Sequence, residues 1–527
     1  MDVQVLPLKD QPSHVPGRHN LHVLGLDIHA PVFFLCAGFI IGFGALTLAF
    51  PETASLYLTS ARNWTLAHFD WLFAAVPNIA LLVLLFAALS PAGAIRLGGS
   101  EAKPEFGWLS WFAMLFAAGV GVGYMFYSAA EPLAFYTSWA GVPFDTPPGE
   151  PETKRAAMSG ALFHWGFHAW ALYAVAGLSI AFFAYNKGLP LTLRSAIYPL
   201  LGKRVWGWPG DVADILAVIA AVFGLATSIG LGALQASSGI AYLTGATPSI
   251  ALQVFIIAVI TIAAAISVLR GLHDGIKLLS NINVAIAVML LVYVIAAGPG
   301  LAIFSAIAEN TAAYLADIPK LSNWIGRTDT AFLHNWTIFY WAWWLSWAPF
   351  VGLFIARISR GRTIREFMIG VLCAPVAAAV LWICAFGETA IAQYDDGAGD
   401  ISGGVNDLSL VLFQMLANLP APLISSTVSI VLLIVFLTTS ADSGALAVDA
   451  VASGGKTKTP KRQRLFWVAL LGVTAAALLI GGDSQALQTL QSASIVAALP
   501  FTFLLIAACG SLLFVIPFTN TTVEKIP

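Results

Sequence analysis

Residues 335–350 read NWTIFYWAWWLSWAPF and place five indoles, Trp336, Trp341, Trp343, Trp344 and Trp347, within one helix's length. Tyr340, Trp343 or Trp344, Trp347 and Val351 recur at helical spacing and share a face. The face of an indole attracts a cation through the ring quadrupole. A quaternary ammonium, which has no N–H to donate, suits such a surface best. Two ordinary explanations compete with a cation cage. An interfacial aromatic belt accounts for Trp336 near the outer end, but it does not extend two turns deeper to Trp347. Packing between membrane helices selects small residues instead. The stripe therefore reads as a belt anchor at Trp336, an open assignment at Trp341, and a cage at Trp343, Trp344 and Trp347.

Three further stretches carry chemistry. FHWGFHAWALY (163–173) supplies Trp165, Trp170 and Tyr173, the last two on one helical face. Its His164 and His168 stand at the i, i+4 spacing of metal ligands. No acidic neighbour or third ligand is evident, so they read as hydrogen-bonded structural histidines. GVGVG (119–123) forms a GxxxG packing motif through Gly119 and Gly123. It is equally a loosened helix whose backbone faces an ion or substrate, and both readings can hold. FLTTSADSGALAVDA (436–450) concentrates Thr438, Thr439, Ser440, Asp442 and Ser443. Hydroxyl and carbonyl oxygens suit a hard cation such as sodium, although hydroxyls also join helices to one another. Asp442 is an alternative carrier for a coupling proton.

These residues must be held by a bilayer-spanning framework. The 527-residue chain is 59% hydrophobic and 10% charged, whereas soluble domains are about a quarter charged. Apolar stretches of about 20 residues lie near 30–49, 72–90, 108–128, 163–184, 211–235, 249–269, 281–304, 337–356, 367–386, 423–446, 465–481 and 495–516. With both termini cytoplasmic, 20 of the 25 Lys and Arg fall inside. Only Arg62, Lys154, Arg155, Lys320 and Arg327 fall outside. Residues 129–162, 305–336 and 387–422 read as extracellular caps, and no soluble domain is left over. The first 29 residues lack a signal peptide's cleavage site and read as a retained, poorly ordered tail. The net charge of −2 and the absence of a basic domain argue against nucleic acid as a partner. Cys36, Cys373, Cys384 and Cys509 lie in apolar runs and are expected to be buried free thiols.

The third and eighth spans, one rich in glycine and one in tryptophan, each open a run of five spans and begin about 230 residues apart. Because five is odd, the second unit enters the membrane from the opposite side, the inverted-repeat plan of secondary transporters.

Taken in order, GVGVGYMFYSAAEPLAFY, FHWGFHAWALY, GLGALQ, GIKLLSNIN, NWTIFYWAWWLSWAPFVGLFIARISRGRTIREF and TTSADSG resemble the betaine/carnitine/choline transporter family over most of the chain. The resemblance implies an all-α integral membrane protein of 12 transmembrane helices. Two extra helices (30–107) precede a LeuT-like 5+5 inverted repeat, its halves at 108–304 and 337–516, joined by an external loop (305–336). Short cytoplasmic tails lie at 1–29 and 517–527. It further implies a trimer in a bacterial inner membrane, with segment 270–280 contributing to the contact. Trp165, Trp170 and Tyr173 with Trp344 match the family's aromatic box. Trp343, Trp344 and Trp347, with Phe350 below, match its central cage. Backbone around Gly119, Gly121 and Gly123 would receive a carboxylate. One sodium would take the carbonyls of Ala117, Val120 and Phe436 and the hydroxyls of Thr439 and Ser440.

Departures sharpen the expectation. Ala221 and Leu225 stand where sodium symporters of the family carry threonines for a second sodium, which puts that site in doubt. Gly123 stands where choline carriers tend to have aspartate, which favours a zwitterion. The transport-core spans lack the basic side chain that replaces sodium in exchangers. The expectation is an importer of a zwitterionic onium compound such as glycine betaine or dimethylsulfoniopropionate, coupled to sodium, without a cofactor. The rivals are proton-coupled choline or carnitine uptake, with Asp442 or Glu131 titrating, and a membrane-embedded lipid-modifying enzyme using His164, His168 and Asp442.

Overall fold

The computed structural model describes residues 15–119, 121–270 and 275–516. In chain order its helices are α1 (Ala30–Ala49), α2 (Pro51–Leu89), α3 (Trp108–Gly119), α4 (Val122–Tyr127), α5 (Ala130–Tyr136), α6 (Pro151–Trp165), α7 (Phe167–Lys187), α8 (Leu193–Ala196), α9 (Tyr198–Leu201) and α10 (Trp208–Thr244). They continue as α11 (Ile250–Arg270), α12 (Gly275–Ala297), α13 (Ala302–Ser322), α14 (Thr330–Phe332), α15 (Ile338–Ile358), α16 (Ile364–Asp395), α17 (Leu408–Ala417), α18 (Pro422–Ala452), α19 (Lys461–Gly482) and α20 (Ala486–Val515).

Among the described residues ten helices are long and apolar enough to cross a membrane, or eleven if α12 and α13, bent by 107°, count as one span. The expected third span is divided into α3 and α4 and falls below that length. Each of the twelve expected stretches is mostly helical among the described residues, but length and hydropathy do not by themselves deliver twelve crossings.

Several helices outrun their apolar stretch. α2 begins at Pro51 rather than near residue 72, α6 at Pro151 rather than 163, and α16 ends at Asp395 rather than 386. A hydropathy rule stops at Arg62, Asp70, Lys154 or Glu388, whereas backbone hydrogen bonding continues past the bilayer. At 1.5 Å per residue the 39 residues of α2 span about 58 Å, nearly twice the hydrocarbon thickness of about 30 Å. The three expected external caps are themselves largely helical, holding α5 and α6, α13, and α17.

Helix packing repeats when the halves are exchanged. α10 packs on α18 and α11 on α19, each pair its own counterpart. α11 on α18 is matched by α19 on α10, α12 on α18 by α20 on α10, and α12 on α16 by α20 on α7. α15 on α7 is matched by α3 on α16, while α1 and α2 lie outside the scheme against α19, α20 and α7. The order of contacts is thus that of a 5+5 repeat with two added helices.

Polar links respect the expected division into two faces. His29 meets Asp211 at 2.7 Å and Arg194 meets Asp211 and Asp214 at 3.0 and 2.6 Å. At the other face Arg155 meets Asp317 and Lys154 meets Glu388, both at 2.8 Å, and Arg327 is clamped to Asp329.

Two expectations are corrected. From residue 15 onward the N-terminal segment is not loose. It forms a hairpin of Leu21–Val23 with Leu26–Ile28, in which Asp27 accepts from Asn20 at 2.7 Å, pairs with Lys456 and donates its backbone N–H to Gln463 at 2.9 Å. A carboxylate so engaged ties the segment to the α18–α19 connection. Cys36, Cys384 and Cys509 are buried, but Cys373 is exposed, because an apolar run in a bilayer presents a lipid face as well as a core face. Residues 1–14 and 517–527, and residues 271–274 of the expected trimer contact, lie outside the described residues.

Candidate substrate site

The break between α3 and α4 and the ring-rich α15 bring the site together. Gly121 precedes α4 in an extended conformation (φ −154°, ψ −161°). Gly123, two residues on, lies beneath Trp165: a Cβ there would stand 2.1 Å from Cη2 and 2.8 Å from Cζ3. α15 remains helical through Pro349. It approaches α7 closely, since a Cβ on Gly352 would lie 2.7 Å from that of Ala176 and 3.1 Å from the nitrogen of Gly177.

Trp344 is the centre of an aromatic box. Its ring centroid lies 4.8 Å from Tyr173, 5.6 Å from Trp165 and 5.8 Å from Trp170, with tilted or edge-on geometry throughout. Trp170 and Tyr173 also meet edge-on at 5.6 Å. All four are at least 94% buried. Rings so disposed pack edges, with their polar N–H groups, against faces. The indole N–H groups of Trp170 and Trp344 are buried without a hydrogen-bond partner among the described residues, as is that of Trp347.

The remaining cage residues are distributed differently. Trp343 turns to the other side of Trp165, at 6.2 Å, stacks on Phe339 and donates its N–H to Ser228 at 3.0 Å. Trp347 and Phe350 form their own pair at 5.9 Å, beside Gly224, and are only partly buried. The expected substrate residues therefore form a box around Trp344, a flank at Trp343, and a separate pair one turn further along α15. Gly119 ends α3, Gly121 begins the re-entry into helix, and Gly123 underlies the box.

A fully buried carboxylate, named above only as a rival proton carrier and not as a site residue, stands behind the box. Glu131 of α5 meets His164 Nδ1 at 2.5 Å through Oε1; its Oε2 accepts from Trp165 Nε1 at 2.9 Å and from the Tyr340 hydroxyl at 2.5 Å. His164 Nε2 reaches Thr337 at 2.9 Å. The reading of His164 as structural stands, but its acidic neighbour lies 33 residues earlier, outside any local pattern. His168 turns away to Asn78 at 3.2 Å, and no cluster of three metal-ligating side chains occurs among the described residues. A charge within the otherwise apolar SAAEPLAFY was the available signal, since intramembrane acids are rarely idle.

Trp336 does not serve as a belt residue. It is 2% exposed and packs on Phe135 at 4.9 Å, Trp139 at 6.0 Å and Tyr127 at 6.3 Å. Tyr127 of α4, Phe135 of α5 and Trp139 of the loop after α5 cover this end of the helix and enclose the indole. Trp341 is buried against Phe163 at 5.1 Å.

Of the sodium set, Thr439 and Phe436 are adjacent on α18, the threonine hydroxyl donating to the Phe436 carbonyl at 2.9 Å and approaching that of Val435 at 3.1 Å. Ser440 follows on the same helix, partly buried. Ala117 lies in the last turn of α3, where carbonyls lack helical donors, and Val120 lies outside the described residues. At the doubtful second site Ala221 is buried and Leu225 packs on α18, 2.3 Å from where Gly444 would carry a Cβ. Asp442 bonds Ser267 of α11 at 2.5 Å.

The family model described as BCCT, betaine/carnitine/choline family transporter, matches residues 31–517. A glycine betaine transporter of Vibrio parahaemolyticus is 48% identical over 506 residues, covering 96% of this chain and 97% of that one. A glycine betaine/proline/choline/ectoine transporter of the same organism is 45% identical, covering 95% and 90%. A glycine betaine transporter of Acinetobacter baylyi is 38% identical, covering 95% and 75%. Among solved structures, a sodium-coupled sialic acid symporter in a substrate-bound outward-open state aligns over 84% of this chain and 86% of its own, with a TM-score of 0.48 and 13% identity.

Proposed function

Because the chain belongs to the betaine/carnitine/choline transporter family, we propose that this multi-pass membrane transporter imports a zwitterionic quaternary ammonium or tertiary sulfonium compound, such as glycine betaine or dimethylsulfoniopropionate, using a sodium gradient. The observation that carries the reading is the box of Trp165, Trp170 and Tyr173 around Trp344, rings within 5.8 Å of one centre. Rings bind a methylated onium group by charge and size. The substrate's carboxylate is assigned to the backbone around Gly119, Gly121 and Gly123 and to the unpartnered indole N–H groups. Trp343, Trp347 and Phe350 line the path beyond the box.

Sodium is assigned to the carbonyls of Ala117, Val120 and Phe436 with the hydroxyls of Thr439 and Ser440, at the junction of the two repeats. An ion there biases one arrangement of the bundle, so its gradient drives alternating access. The glycine betaine relatives, one 48% identical, support the substrate class. A homotrimer in a bacterial inner membrane with cytoplasmic termini completes the proposal. Its test is uptake into proteoliposomes across betaine, choline, carnitine and dimethylsulfoniopropionate, with and without sodium. Sodium-dependent betaine or sulfoniopropionate uptake that Trp344→Leu and Trp347→Leu each abolish is expected. Uptake driven by a pH gradient alone, or unchanged in both variants, overturns it.

A further inference from the structure

The carboxylate of Glu131 has no place in the site as the sequence motifs outline it, yet it is fully buried. Its three partners are side chains that can each donate: the His164 ring, the Trp165 indole and the Tyr340 hydroxyl. An indole N–H only donates, so Oε2 must accept from it. With His164 as its Nδ1–H tautomer, Glu131 has the bonding of an anion. Among the described residues no Lys or Arg is paired with it, and its salt-bridge partner is the imidazole. An anion in such a place is expensive unless a cation arrives.

Resting on the onium reading of the box, we propose that Glu131 is a positioning residue that supplies the site's fixed counter-charge, acting on the substrate cation through Trp165 rather than by touching it. Two effects run through the one 2.9 Å bond. Donation to a carboxylate fixes the indole so that its ring stays edge-on to Trp344 at 5.6 Å and 71°. It also places a negative charge at the ring's N–H edge, and in a medium of low dielectric that charge adds to the ring's attraction for a cation. Tyr340, four residues before Trp344 on α15, is held by the same carboxylate and packs edge-on against Trp165 at 5.4 Å, so the anchored indole is also braced from α15. The substrate's methylated head thus meets aromatic carbon, while the charge that complements it sits one side chain further out. A bare carboxylate in the box would select hydrated cations; one screened by an indole favours a poorly hydrated onium.

The test compares betaine with 3,3-dimethylbutanoate, an anion of the same shape with carbon in place of nitrogen, as competitors of betaine uptake by the full-length protein in proteoliposomes. The wild type is expected to prefer betaine. Glu131→Gln, nearly isosteric, should lower that preference about tenfold, mainly by weakening betaine, while leaving the weak affinity for the neutral-headed isostere unchanged. Glu131→Asp, which keeps the charge but draws it back from the Trp165 N–H, should fall between. If the Gln variant does not assemble, the Asp variant decides: a preference equal to the wild type's overturns the proposal. Equal loss of both competitors in Glu131→Gln, as a merely structural role would give, also overturns it. A wild type that does not distinguish betaine from the isostere refutes the onium box itself, a separate outcome.

Discussion

Replacing Gly123 by alanine tests the packing on which the box depends. The added Cβ would stand 2.1 Å from Cη2 of Trp165, 2.8 Å from Cζ3 and 3.3 Å from Cζ2. Carbon atoms settle at about 3.5 Å, so the indole must retreat by more than about 1 Å. Its N–H now lies 2.9 Å from Glu131, and a shift of that size takes the bond beyond hydrogen-bonding distance. Overpacking costs about 1–3 kcal/mol, and the orphaned buried donor adds about 1–3 kcal/mol. A ring face lost to the substrate's cation weakens binding by about 1–2 kcal/mol, roughly tenfold in KM. The assays are thermal unfolding of the detergent-solubilised protein and concentration-dependent betaine uptake in proteoliposomes. Gly121→Ala serves as the stability control, because nothing lies within 4 Å of its Cβ and its φ is −154°. Gly123→Ala should melt several degrees lower with KM raised roughly tenfold, and Gly121→Ala should melt as the wild type does. A Gly123→Ala protein with unchanged melting and KM would refute the reasoning.

Three other outcomes are expected. Tyr314 of α13 plugs the break between α6 and α7, its hydroxyl accepting from the Phe167 N–H at 2.9 Å. Tyr314→Phe keeps the ring, loses about 1 kcal/mol of stability and should raise hydrogen exchange at residues 166–168, read by mass spectrometry. Just before α14, burial pushes the Asp329 carboxyl up, but the bonds from Arg327 and from the Phe144 N–H outweigh it and hold the group below its ordinary 3.8. The stability this adds is present at neutral pH and lost as the pH falls through the lowered value. Asp329→Asn should therefore flatten the acid limb of the melting profile. Thr439→Ala should raise the sodium concentration for half-maximal uptake about tenfold with little change in melting, measured by sodium titration of uptake; an unchanged titration removes Thr439 from the ion site.

The framework was legible because lipid imposes a simple rule on the backbone. Long apolar helices, the odd character of the third and eighth spans, and the clustering of Trp165, Trp170, Tyr173 and Trp344 all followed from local composition or from family motifs. The helix ends were not legible, since α2 and α16 continue into water where hydropathy gives no signal. Nor was the environment of Trp336. Depth along a helix does not tell whether a loop covers its end, and here Phe135 and Trp139 do. Glu131 was named only as a rival proton carrier, and its partners escaped for another reason: they come from α6 and α15, and pairing across 33 and 209 residues leaves no periodic trace. Trp347 shows the limit of a helical wheel, which puts it on the face of Trp343 and Trp344 but cannot say that a turn of α15 separates their neighbours.

The exchange of helix contacts between the halves carries an implication for how such a site could arise. The break at Gly119 to Gly123 and the indoles of α15 fall in the helices that a 5+5 plan pairs, one bare of side chains at its glycines where the other carries rings. Two identical halves could not build this arrangement. A tryptophan in place of Gly123 would share volume with Trp165, and glycines along α15 would leave no face for a cation. The divergence between the halves is thus a complementary division of bulk, in which each duplicate's departure from the shared plan makes sense only beside the other's.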